Sequence, residues 1–182
     1  STDIIQIIKT QPNEKHLINI MGGELFHDDI PPRLFVDYYN LCMKINNFAL
    51  VNGIEVSFSF VTNLVYEKVD RVLQLINDLR LINKNISLTT SYDPVGRFNK
   101  SDRELFFKNI RYILISDCSI VSNISVVMTR PNIKSLMSVQ DDDLNWIYDN
   151  FDLYSTVGLG YSKRSFDFIS NDPDFVPFSI SS

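Results

Sequence analysis

The chain has 182 residues, 45% of them hydrophobic, which is enough for one domain with a real core and too few for two full ones. Its 17 Lys and Arg against 22 Asp and Glu give a formal net charge of -5, which excludes a global basic signature of the kind that drives nucleic-acid binding. No apolar run is long enough to span a membrane and no signal peptide is visible at the start, so a cytoplasmic location is expected.

Ile4, Ile5, Ile7 and Ile8, behind Ser1, Thr2 or Asp3 as an N-cap, predict a short helix over 2–10, although four isoleucines also suit a strand. Residues 16–21 (HLINIM) read as a buried strand ending in Gly22-Gly23, and 27–32 as a loop. Leu34, Tyr38, Leu41, Cys42, Ile45 and Phe48 recur at helical steps, and Asn52-Gly53 closes that helix. The β-branched and aromatic run 54–61 is the second strand. Val69, Val72, Leu75, Ile76 and Leu79 mark the next helix, and 86–90 the third strand. Ser101 and Glu104 have the spacing of a capping box, opening a helix that uses Leu105, Phe106, Ile110, Ile113 and Leu114. Residues 123–128 are the fourth strand. Asp141, Asp142 and Asp143 open a last helix with Leu144, Ile147, Tyr148 and Phe151, and 152–159 is a fifth strand.

Helices and strands therefore alternate, the mark of parallel βαβ units. A doubly wound sheet and a barrel both satisfy that order. In either, ligands bind beyond the C-terminal ends of the strands. The main unit is expected over 1–161, with 162–182 an irregular C-terminal extension.

Each strand end taken alone has an ordinary explanation. Met21-Gly22-Gly23-Glu24 is a tight turn with a solvated carboxylate, and Thr62-Asn63 is a helix cap. Ser91, Tyr92 and Asp93 lead into an Asp-Pro turn, and Thr129, Arg130 and Asn132 flank Pro131. Cys42 and Cys118 read as small apolar core residues in a reducing compartment.

Taken in order, a strand ending in GGE, one ending in TN, one ending in S-x-D and one of the type VxxT-x-x-N resemble the middle of the radical S-adenosylmethionine (radical SAM) enzyme core. The resemblance covers about residues 1–137, with a weaker continuation to 161. It implies a partial TIM-like (βα)6 barrel. It also implies a 4Fe–4S cluster, held by a CxxxCxxC loop after the first barrel strand, and S-adenosylmethionine bound at the cluster's unique iron. By this resemblance Gly22, Gly23 and Glu24 bind the methionyl amino group. Thr62 and Asn63 lie near the cofactor, Ser91 and Asp93 contact ribose or substrate, and Val127 and Thr129 pass beside the adenine. The implied chemistry is reductive cleavage to a 5′-deoxyadenosyl radical that abstracts hydrogen from an unknown substrate.

The chain carries no CxxxCxxC, and two cysteines cannot supply three thiolates. The first strand and the cluster loop are therefore expected upstream of Ser1, in a missing N-terminal segment or a partner chain. Six strands less the first leave the five counted here. The alternative is a degenerate barrel serving as a non-catalytic binding or structural module in a larger assembly. A third reading is a carboxylate enzyme using Glu24, Asp28, Asp29 and Asp93 with a divalent metal.

Overall fold

The four isoleucines near the start form a helix, α1 (Thr2–Thr10), and not a strand. A strand would align Gln6 with Ile4 and Ile8, whereas one helical stripe collects Ile4, Ile5 and Ile8. Ile8 is fully buried and Ile4 packs beside it. The structure, a computed structural model, describes residues 2–12, 14–92, 97–126 and 131. The elements after α1 are β1 (His16–Ile20), α2 (Pro32–Val51), β2 (Val56–Thr62) and α3 (Val69–Arg80). Then come β3 (Ile86–Tyr92), α4 (Lys100–Asp117), a single 3-10 turn at Cys118–Ile120, and β4 (Val121–Val126). The expected helix at 141–151 and fifth strand at 152–159 lie outside the described residues, as does the boundary near 161.

The ends of α2 follow its punctuation. Pro32 occupies the first turn, where a missing N–H costs nothing. At the other end Gly53 takes φ 67. There Ile54 N–H donates to Ala49 O at 2.9 Å and Gly53 N–H to Leu50 O at 3.2 Å. These are the two bonds of a Schellman motif, and buried Ile54 meets buried Ala49 as its hydrophobic contact.

The capping box of α4 differs from expectation. It is formed by Asn99 and Asp102, not by Ser101 and Glu104. Asn99 Oδ1 accepts the Asp102 N–H at 2.9 Å, and Asp102 Oδ2 accepts the Asn99 N–H at 3.2 Å. The helix starts at Lys100, so Asn99 holds the cap position, where Asn serves as well as Ser. Ser101 merely donates its hydroxyl to Asn99 Oδ1 at 2.7 Å.

The four strands are all parallel and lie in the order β1-β2-β3-β4. One face of the sheet carries Val56, Phe58 and Phe60 beside Ile86, Leu88 and Tyr92. This face is buried in a single core with Ile8 of α1, Cys42 and Ile45 of α2, Val72 and Ile76 of α3, and Phe106 and Ile110 of α4. All four helices thus pack on the same side.

The opposite face is polar. It carries Asn19, Ser57, Ser59, Ser87, Thr89 and Ser91, and no described helix covers it. Ser59 and Thr89 hydroxyls meet at 2.8 Å, and Thr89 and Ser122 at 3.2 Å, so a hydroxyl chain crosses three strands. Ser122 is an extra residue: Leu88 pairs with Val121 but Thr89 with Asn123. Its hydroxyl donates to Leu88 O at 3.2 Å. This face also corrects the reading of 16–21 as a buried strand. Leu17 is 62% exposed and Asn19 is exposed, because the described helices cover β1 on one side only.

Candidate functional site

The C-terminal ends of β1 and β2 converge on one carboxylate. β1 ends at Ile20, and the chain turns through Met21, Gly22 and Gly23 to Glu24. Glu24 Oε1 accepts the Thr62 hydroxyl at 2.7 Å and the Phe26 N–H at 3.1 Å. Glu24 Oε2 accepts the Asn63 N–H at 2.7 Å. Bonds to an ionised acceptor are about twice as strong as neutral ones, so these tie the two strand ends together firmly. The structure therefore brings Glu24, Thr62 and Asn63 into direct contact across 39 residues of sequence.

Phe26 anchors the loop from below. Its ring sits 5.7 Å from Phe35, 5.9 Å from Phe60, 6.0 Å from Tyr38 and 6.2 Å from Tyr66. Edge-on and tilted contacts of this kind fix the aromatic cluster under the site. The Tyr66 hydroxyl is buried, which pushes its pKa up; the Glu24 and Asp28 charges push the same way, and its approach to Thr62 opposes them. That approach lacks the geometry of a full hydrogen bond. Tyr38, half-buried, is likewise raised by burial and by the Glu24 charge.

The β2–α3 loop is held from every side. Leu64 takes φ 58, a left-handed conformation that costs a bulky residue about 1–2 kcal/mol. Thr62 Oγ1 accepts the Leu64 N–H at 3.2 Å, and Asn63 Oδ1 the Val65 N–H at 2.8 Å. Asn109 reaches in from α4, donating to Leu64 O at 2.9 Å and Tyr66 O at 2.6 Å. Asp28 closes the far end by accepting the Glu67 N–H at 2.8 Å and the Lys68 N–H at 3.0 Å.

Gly22 and Gly23 are exposed beside Glu24. A Cβ at Gly22 would meet only Leu25, at 3.7 Å, and one at Gly23 would meet nothing within 4 Å. Neither glycine is demanded by packing; together they leave the backbone beside Glu24 bare. Ser91 lies on the polar face, whereas its neighbour Thr90 is buried in the core and pairs with Thr62. It makes no contact with the Glu24 cluster. Asp93, Val127 and Thr129 fall outside the described residues.

Asp28 was expected as a loop carboxylate or a metal ligand, and its oxygens bind the backbone N–H groups of Glu67 and Lys68, the two residues before α3. Among the described residues no three His, Cys, Asp or Glu side chains gather as a metal site. Asn109 went unnoticed in the sequence. Its signal was a polar residue inside the apolar stripe formed by Phe106, Ile110 and Ile113. No helix among the described residues is long and apolar enough to cross a membrane. No protein-family model matches the chain. No curated protein and no solved structure matches it either.

Proposed function

We propose that this chain is the S-adenosylmethionine-binding part of a radical SAM-type enzyme, and that its four parallel strands form the wall of a partial (βα)6 barrel. The observation that carries this reading is the meeting of Glu24, Thr62 and Asn63 at adjacent strand ends. Two features of the sheet support it. Its described strands follow one another in chain order without a reversal, and the described helices lie on one face only. A doubly wound sheet carries helices on both faces, whereas a barrel wall turns one face inward.

The residues fit the amino group of the cofactor. A carboxylate has about four acceptor positions. Three bonds occupy Glu24, with Oε2 taking one of them. An acceptor position remains on Oε2, beside the bare backbone of Gly22 and Gly23. Thr62 and the Asn63 amide hold the carboxylate still, so it meets an ammonium group without further ordering. The residues do not fit the iron–sulfur cluster. Cys42 is fully buried in α2, Cys118 sits beyond α4, and the chain has no third cysteine. The cluster's thiolates therefore come from outside this chain. With such a cluster supplied from elsewhere, the cofactor held at Glu24 would supply the radical chemistry.

The natural gene product provides the test. It is reconstituted anaerobically with iron and sulfide and titrated with S-adenosylmethionine by calorimetry. Binding weakened about tenfold or more by Glu24→Gln, in a variant that keeps its far-ultraviolet spectrum, supports the proposal. A product that binds neither iron nor the cofactor sinks it. The non-catalytic module then leads, on the observation that the Thr62 and Asn63 bonds to Glu24 already serve as a latch between two loops.

A further inference from the structure

A groove of about 530 Å³ runs between α2 and α3. Its two walls differ in kind. α2 contributes Phe35, Val36 and Tyr39, an apolar stripe about one turn long. Val36 is 57% exposed at its centre. α3 contributes Asp70, Gln74 and Asp78, a polar row at four-residue steps whose two carboxylates lie about 12 Å apart along the axis. Buried Leu75 forms the floor.

The acidic wall is preset and not neutralised. Asp70 Oδ1 accepts the Tyr112 hydroxyl at 2.8 Å, and Asp78 Oδ1 accepts the Gln74 amide at 2.8 Å. Each bond orients its carboxylate and leaves the second oxygen without a partner among the described residues. The one cation in the lining, Arg71, lies over the Phe35 ring at 4.6 Å and forms no ion pair among the described residues. The groove thus offers an apolar wall about one turn long and a facing row of negative charge about two turns long.

We propose that this groove docks a short amphipathic helix of a partner protein. Its apolar face lies on Phe35, Val36 and Tyr39, and Lys or Arg side chains about two turns apart reach Asp70 and Asp78. The proposal does not rest on any activity at the Glu24 site, although Phe35 also packs on Phe26 beneath it.

The test uses the full chain and fluorescein-labelled helical peptides of about 15 residues. One carries leucines on one face with two lysines flanking them about two turns apart, and the other carries glutamates in place of the lysines. Fluorescence anisotropy at low salt should show the lysine peptide binding about fivefold tighter or better. The double variant Asp70→Lys, Asp78→Lys should invert that preference, and Val36→Glu should weaken both peptides. All three positions are on exposed faces of their helices or at the groove, so thermal melts verify that the variants stay folded. Equal binding of both peptides, binding by neither, or indifference to the variants overturns the proposal. A self-association of the chain that Val36→Glu abolishes assigns the groove to a second copy and overturns it as well.

Discussion

Asp28 and Lys68 hold each other across 40 residues of sequence: the Lys68 backbone N–H donates to Asp28 Oδ1 at 3.0 Å, and the Lys68 ammonium returns to the Asp28 carbonyl at 3.0 Å. Helix α3 has no side-chain cap from its own flank, where Lys68 stands at the cap position. A carboxylate from the loop after β1 instead accepts the N–H groups of Glu67 and Lys68, the two residues that lead into α3, and its charge lies near the helix N-terminus. The loop that carries Glu24 and the loop that carries Asn63 are therefore joined twice, once at each end.

Replacing Asp28 with Ala should cost about 1 kcal/mol, the scale of a net hydrogen-bond contribution at a partly exposed site. Its pH dependence has a definite sign. Burial alone would raise the Asp28 pKa, but the Glu67 and Lys68 amides, with the Lys68 and His27 charges, outweigh it and hold the group below its ordinary 3.8. A depressed carboxylate contributes fully above its unfolded value and loses its contribution as pH falls through the folded one. Urea unfolding of the wild type and Asp28→Ala should show a constant difference at about pH 5–7 that closes below about pH 4. A difference that grows on acidification contradicts this account.

Asn109→Leu should destabilise by about 2–4 kcal/mol, although it places an apolar residue on an apolar stripe. The substitution removes both donors from the Leu64 and Tyr66 carbonyls and leaves those acceptors buried without partners. Hydrogen exchange should then accelerate in residues 62–68 more than in β2 itself. Uniform acceleration through the sheet would show that Asn109 serves the core at large and not this loop.

The elements were readable because apolar residues recur at the period of each structure. Ile110 and Ile113 on α4, and Phe58 and Phe60 on β2, mark buried faces that any packed βαβ unit would need. Glu24, Thr62 and Asn63 were readable only as three separate strand ends. Their contact depends on the parallel register of Ile20 with Phe60, which no local pattern records. Asp28 and Asn109 were opaque for the same reason: each serves a backbone about 40 residues distant. Ser101 misled because a capping box has a spacing but no fixed frame, and Asn99 set the frame two residues earlier. Leu17 misled because an apolar side chain reads as buried even on a sheet face that no described helix covers.

Leu64 offers a clean measure of backbone strain. It is fully buried, so truncation to either Ala or Gly loses about 2–5 kcal/mol of packing. At φ 58, however, glycine relieves a cost that alanine keeps. Leu64→Gly should therefore be more stable than Leu64→Ala by about 1 kcal/mol, the reverse of the ordering in a helix. Chemical denaturation of the two variants decides it, and alanine coming out ahead would deny that the left-handed turn stores strain.

The two cysteines should separate sharply in reactivity. Cys42 is fully buried on α2, and burial pushes its thiol up to about 12, so almost none of it is thiolate near neutral pH. Cys118 lies at the end of α4 and is only partly buried. A thiol reagent such as dithionitrobenzoate at about pH 8 should therefore modify Cys118 in the native protein, and Cys42 only once urea opens the core. The slow phase at Cys42 should then follow global opening, because Ile45 and Ala49 on the same helix face are buried with it. Rapid modification of Cys42 in the folded chain would mean that α2 lifts from the sheet by itself. The wall of apolar side chains that fixes β1 and β2 side by side, and with them Glu24 against Asn63, would then be a transient one.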